Sequence, residues 1–176
     1  MLRPWPLTIA ALAGLIALSL SLGAASFGDD AGWLLMVSRI PRTAAALLAG
    51  AGLALAGVVV QQVVQNRLVE PSLTGAPEAS MLGLLAVTLL APGMAVSGKM
   101  LIAAAAALVG MAGYLALATR LPREDPMLLP IVGMVYGGIL GAIGVWMAWS
   151  ADLMQYLGAW RLGELSGVMM GRYEWL

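Results

Sequence analysis

The sequence predicts an all-α, polytopic membrane protein of about five transmembrane helices, and three observations predict it. The 176-residue chain is 61% hydrophobic and only 10% charged, where a soluble domain carries roughly 25% charged residues. Its mean hydropathy is +0.93, and a surface so apolar has lipid as its solvent. Apolar runs of spanning length recur along the chain, separated by short segments rich in Pro, Gly and charge. The stretch Arg39–Gly83 shows the pattern in one piece: a charged doorstep, an apolar helix, a polar turn and the start of another apolar run.

The expected spans are 7–26, 43–65, 73–91, 98–119 and 127–150. The first apolar run, Leu7–Ala25, follows Arg3 and Trp5. Ala24-Ala25-Ser26 resembles a signal-peptide cleavage site, but the run exceeds the roughly 7–15 residues of a signal h-region. Phe27–Ser38 reads as a loop holding Asp29 and Asp30, with Trp33–Val37 too short to span and suited to the interface. The second span carries Gly50, Ala54 and Gly57 at helical spacing, which either lets a neighbouring backbone approach or is simply tolerated. Gln61, Gln62, Gln65 and Asn66 cluster at its end. Such amides either satisfy the last carbonyls of the helix or line a wet cavity.

The third span holds Gly75, Pro77 and Glu78 near its start. Glu78 either faces protein or water at membrane depth, or is an acidic first-turn residue of a helix that begins after Ser80. The fourth span is rich in alanine, with Gly110 and Gly113, and a charged turn Arg120–Pro126 follows it. The fifth carries Gly133, Gly137 and Gly141 in an unbroken four-residue step, the strongest helix-packing signal in the chain. Trp146, Trp149, Tyr156 and Trp160 read as an interfacial aromatic belt. Leu153, Leu157 and Trp160 predict a short amphipathic helix on the membrane surface within the non-spanning segment 151–176.

Composition narrows function. Net charge is zero, so no basic field points to nucleic acid. The chain has no Cys and no His, which removes disulfides, thiol chemistry, zinc and haem ligation, and imidazole acid–base catalysis. Carboxylates are few and sit mostly in loops, so a binding or conducting role is expected, with no catalytic residue, resident metal or cofactor. The twelve methionines are scattered, as lipid-facing or packing residues are, and do not form a soft-metal site. Charge counting leaves orientation open. With the N-terminus inside, Arg3, Arg67, Arg120 and Arg123 face in, and Arg39, Arg42, Lys99, Arg161 and Arg172 face out.

Two motifs carry a resemblance: Arg39-Ile40-Pro41-Arg42-Thr43 before the second span, and Asn66-Arg67-Leu68-Val69-Glu70-Pro71 after it. Together they resemble the ABC importer permeases of the iron-siderophore and vitamin B12 type. Gln61-Gln62, Thr74-Gly75, Glu78, Met81-Leu82-Gly83, Asp152–Gln155 and Gly171–Glu174 look like the ferric catecholate or petrobactin permeases within it. The likeness covers roughly Met36 to Leu176. It departs from the family at Arg67, where proline is usual, and at Gly75–Ser80, which replaces Gly-Val-Ser-x-Gly-Ala.

The resemblance implies a ten-helix permease with an inside N-terminus in the bacterial inner membrane, of which this chain is about half, with 151–176 an extracytoplasmic segment leading to a sixth helix. It implies a second permease subunit or a partner chain with the missing C-terminal half. It also implies ATPase subunits that use the ATP, an extracytoplasmic siderophore-binding protein, and a ferric siderophore as cargo. Arg39 and Arg42 are then expected to dock acidic residues of the binding protein. Gly133, Gly137, Gly141, Gln61, Gln62 and Glu78 are expected along the translocation path and its packing seams. Asn66, Glu70, Pro71 and Gly75 form the family turn. The length fits a fragment, a truncated product or one half of a split permease. The competing functional class is a small channel, an assembly subunit or an inactive truncated permease, and cobalamin or haem are the competing cargoes.

Overall fold

The computed structural model describes residues 5–22, 31–121, 127–165 and 167–171. Every regular element among them is helical. In chain order they are α1 (Trp5–Ser21), α2 (Ala31–Leu34), a π-helical turn (Leu35–Arg39), α3 (Ile40–Val64), a 3₁₀ turn (Pro71–Thr74), α4 (Ala76–Leu90), α5 (Val96–Ala118), α6 (Leu128–Ser150) and α7 (Met154–Arg161). The cleavage-like Ala24-Ala25-Ser26, Asp29, Asp30, most of the Arg120–Pro126 turn and Arg172–Leu176 lie outside the described residues. Three helical stretches are long and apolar enough to cross a membrane: Gly32–Val64, Val96–Ala118 and Leu128–Ser150. Trp5–Ser21 and Ala76–Leu90 are apolar but shorter.

The chain divides into two compact units, Met1–Ala51 with Leu165–Leu176, and Gly52–Glu164. In the first, residues 33–37 are not a separate interfacial segment. They are helical and run through the π turn into α3. Pro41 explains the irregularity, because it has no N–H to donate to Val37, four residues earlier. The ladder shifts by one residue, with the Ile40 N–H bonding to the Leu35 carbonyl. The freed Val37 carbonyl accepts the Met170 N–H at 3.0 Å.

In the second unit, α4 packs on both α5 and α6. It starts at Ala76, not after Ser80. Pro77 does not break the helix but opens it, since a first-turn residue has no intrahelical N–H bond to lose. At 15 residues the helix is about 22 Å long, short of a bilayer core of roughly 30 Å. The α4–α5 seam is built of small side chains. A Cβ on Gly110 would overlap the Ala79 methyl, and one on Gly83 would lie 2.5 Å from that of Ala106. Buried apolar area drives little association between helices whose alternative neighbour is lipid, so this close backbone approach carries the packing.

At the far end of α4, Leu85, Ala148 and Leu157 form a buried cluster, flanked by Met81, Val145, Met147, Leu153 and Trp160. The chain reverses between α6 and α7 at Asp152, whose φ is +60°. The amphipathic helix predicted on the membrane surface thus spends its apolar face on protein, since Leu157 is buried against α4 and α6. Trp146, Trp149 and Tyr156 are exposed.

Candidate functional site

Two places gather the residues the sequence singles out. The first is the Arg39–Thr43 motif. Arg39 Nη1 donates to the carbonyls of Leu20 at 2.9 Å and Ser21 at 3.2 Å. These are among the last carbonyls of α1, which have no intrahelical donor, and a guanidinium there also complements the negative end of the helix dipole. Four residues on, Thr43 Oγ1 lies 2.8 Å from Ser19 Oγ. Arg42 is half-buried. The motif therefore joins α1 to the start of α3, a duty the sequence reading does not assign to Arg39.

The second is the turn and seam from Gln61 to Gly141. Helix α3 ends where Gln65 turns left-handed at φ +53°, and the Asn66 N–H reaches back to the Gln61 carbonyl at 3.1 Å. Asn66 is buried, and its Oδ1 accepts the Leu68 N–H at 2.9 Å, fixing the turn. Arg67 is exposed, so the position tolerates a residue other than proline. The Ser72 hydroxyl donates to the Glu70 carboxylate. Pro71 opens the 3₁₀ turn, and its ring lies 3.6 Å from the place of a Gly57 Cβ. Thr74 Oγ1 donates to the Pro71 carbonyl at 2.6 Å.

Gly75 then takes φ +71°, a conformation that favours glycine. A Cβ there would lie 2.6 Å from the Tyr136 ring. Its carbonyl accepts the Ala79 N–H at 2.9 Å. One residue thus ends the turn, starts α4 and admits Tyr136 of α6.

Gly133, Gly137 and Gly141 lie on the face of α6 that meets this turn and α4, and Gly144 extends the row towards Leu82 and Leu85. The Leu73 carbonyl oxygen occupies the place of a Gly133 Cβ, so a Gly133 Cα–H points at it, a weak Cα–H···O contact. Gly137 leaves more room, with Glu78 Oε2 3.5 Å and Gly75 Cα 3.6 Å from its Cβ position. At Gly141 the Cβ position is 3.5 Å from both Glu78 Cγ and Arg161 Nη2. Glu78 Oε2 is buried, and no hydrogen-bond partner reaches it among the described residues.

The structure therefore brings Gly75, Glu78, Gly133, Gly137 and Gly141 together. Gln61 and Gln62 lie near the end of α3, and the second unit's part of α3 does not pack along α4 or α6 among the described residues. Tyr114, Tyr136 and Arg161 belong to the seam and are missed by sequence reasoning. Tyr114 is fully buried and donates to the Leu129 carbonyl at 3.3 Å. Tyr136 donates to the Gly110 carbonyl at 3.0 Å. A tyrosine amid an apolar helix, with a hydroxyl that needs a partner, is the signal that could have found them.

Close-packed helices, three of the helical stretches long and apolar enough to cross a membrane, joined by a fixed polar turn, define a helical membrane protein. A structure described as an inward-facing metal-chelate type ABC transporter shares this fold, with a TM-score of 0.68 and 21% sequence identity, over 94% of this chain and 56% of that one. The chain belongs to the FecCD transport family, which matches residues 6–176. It is 33% identical over 148 residues to the petrobactin import system permease protein FatD of Bacillus anthracis, covering 84% of this chain and 44% of that protein. It is 31% identical to the ferric-anguibactin transport system permease protein FatD of Vibrio anguillarum, over 83% of this chain and 47% of that protein. Against the vitamin B12 import system permease protein BtuC of Escherichia coli O1:K1 / APEC the identity is 37%, over 78% of this chain and 42% of that protein. The chain thus spans less than half the length of each of these relatives.

Proposed function

We propose that this chain is part of the permease of an ABC importer that moves a ferric-siderophore complex across the bacterial inner membrane. One observation carries the reading: more than four-fifths of the chain aligns with permeases named for petrobactin and ferric-anguibactin import. The chain holds no cofactor and no catalytic residue of its own, and separate ATPase subunits use the ATP. A second permease subunit or the C-terminal half of the permease supplies the remaining helices, and an extracytoplasmic binding protein delivers the cargo.

Ferric iron prefers hard oxygen ligands, so the metal travels inside its chelator and the permease touches only the complex. Arg39 and Arg42 place two cationic side chains at the rim offered to the binding protein. Such charges set orientation and on-rate more than affinity. The α4–α6 seam, where glycines permit close sliding, is the element with two packings that ATP-driven motion selects between.

The test is reconstitution. The whole permease that contains this chain is purified with the ATPase subunits and the binding protein, and uptake of a radiolabelled ferric siderophore into ATP-loaded proteoliposomes is followed. Uptake that needs every component supports the reading. Flux through the chain without ATPase or binding protein assigns it to the channels instead. Competition by unlabelled cobalamin or haem, but not by ferric siderophore, would reassign the cargo.

A further inference from the structure

Glu78 Oε2 is buried at the α4–α6 seam, and no hydrogen-bond partner reaches it among the described residues. A carboxylate at such a place is costly to keep, and an orphaned buried oxygen in a packed seam calls for a physical reason. The geometry offers one. The Gly141 Cβ position is equally close, at 3.5 Å, to Glu78 Cγ and to Arg161 Nη2. The missing side chain at Gly141 leaves an opening between the carboxylate on the first turn of α4 and the guanidinium on the last turn of α7. A Cβ on Gly137, one turn before Gly141, would lie 3.5 Å from Oε2 itself.

Arg161 is anchored on a short, well-fixed helix. The Leu157 side chain, one turn before it, is buried in the cluster with Leu85 and Ala148, and the ring of Trp160 lies 6.1 Å from that of Tyr156. Arg161 is exposed as a residue, and its side chain is long enough to swing. The two charges stand on either side of the glycine row that would slide if α4 moved along α6.

We propose that Glu78 and Arg161 are the two halves of a charge latch between α4 and α7, held open in this structure and closed in a second packing of α4 against α6. Closing gives Oε2 its missing donor and ties the start of α4 to the end of α7. The pairing stands on the geometry alone, and only its part in transport rests on the importer reading. In that role the latch stabilises one of the two packings, and a charge-neutral substitution at either end shifts the balance towards the other.

The chain has no cysteine, so thiols can be introduced without background. In the full chain in detergent, Glu78→Cys with Arg161→Cys is treated with a short bifunctional thiol reagent. Glu78→Cys with Gln155→Cys, on another face of α7, is the control. Crosslinking about tenfold faster than in the control is expected. In parallel, the unfolding midpoints of Glu78→Gln, Arg161→Gln, the double variant, Arg161→Lys and the exchange Glu78→Arg/Arg161→Glu are compared. The double variant should lose less than the singles together, by roughly three- to tenfold in the unfolding equilibrium. Arg161→Lys and the exchange should recover most of the loss. Crosslinking no faster than the control, or additive losses with no recovery in the exchange, overturns the latch. Neither readout involves transport, so their failure leaves the importer reading standing, and failed reconstituted uptake by the unsubstituted chain leaves the latch standing.

Discussion

Replacing Gly133 by alanine tests the seam at its tightest point. The new Cβ would fall on the Leu73 carbonyl oxygen, with the Leu73 carbonyl carbon 3.1 Å and Tyr114 Cε2 3.2 Å away. The obstruction is backbone, held in a 3₁₀ turn by the Leu73 N–H to Glu70 carbonyl bond at 3.1 Å, so no rotamer change relieves it. Overpacking of this kind costs about 1–3 kcal/mol, and a rigid partner places the effect at the upper end. The proper reference is Gly138→Ala on the same helix, where nothing lies within 4 Å of the added methyl. Both variants gain about 1 kcal/mol of helix propensity, so that term cancels between them. Gly133→Ala should therefore unfold more easily than Gly138→Ala by about 2–3 kcal/mol. The assay is equilibrium unfolding of the purified chain in mixed detergent micelles, followed by far-ultraviolet circular dichroism. Equal stability of the two variants, within about 0.5 kcal/mol, would refute the claim that the 3₁₀ turn and α6 meet backbone to backbone.

The other predictions follow from the same geometry. Gly75→Ala forces an L side chain to φ +71°, costing about 1–3 kcal/mol before Tyr136 is displaced, and the same unfolding assay measures it. Gly137→Ala should be tolerated, because its Cβ meets only ordinary contacts at 3.5–3.6 Å. Gly137→Leu should abolish reconstituted uptake while leaving the helices intact by circular dichroism. Arg39→Gln should expose the carbonyls of Leu20 and Ser21, weakening the end of α1 by about 1–3 kcal/mol. Faster amide hydrogen exchange near Ser21 checks it, and Arg39→Lys should be the milder change. Arg39→Glu with Arg42→Glu should slow association of the binding protein with the reconstituted permease at low ionic strength by about tenfold or more, and an unchanged on-rate in surface plasmon resonance counts against the cationic rim.

Much of the fold was legible because hydropathy records which stretches must avoid water. The long runs at α3, α5 and α6, and the Asn66, Pro71 and Gly75 of the turn, announce themselves in composition and backbone preference. What hydropathy does not record is which face of an apolar helix meets protein, since lipid and neighbouring helix look alike to a leucine. For that reason Tyr114 and Tyr136 were overlooked, and Leu157 was expected in the interface when it packs against Ala148. The start of α4 stayed open between two readings, because a proline means one thing inside a helix and another in its first turn. Arg39 was read by its charge, and its bonds to Leu20 and Ser21 join residues 19 and 18 positions apart in the sequence, which no local pattern encodes. The glycine row on α6 survived the passage from sequence to structure best, because small residues at a four-residue step have few uses other than letting something come close.

Pro41 has a consequence beyond the π turn that precedes it. By withholding one proton it turns the Val37 carbonyl into a socket, and the Met170 amide is the plug. In surroundings without water, an emptied socket costs several kcal/mol. Residues 167–171 and the π turn are thus expected to travel together through any change of shape, and to come apart only where water can enter.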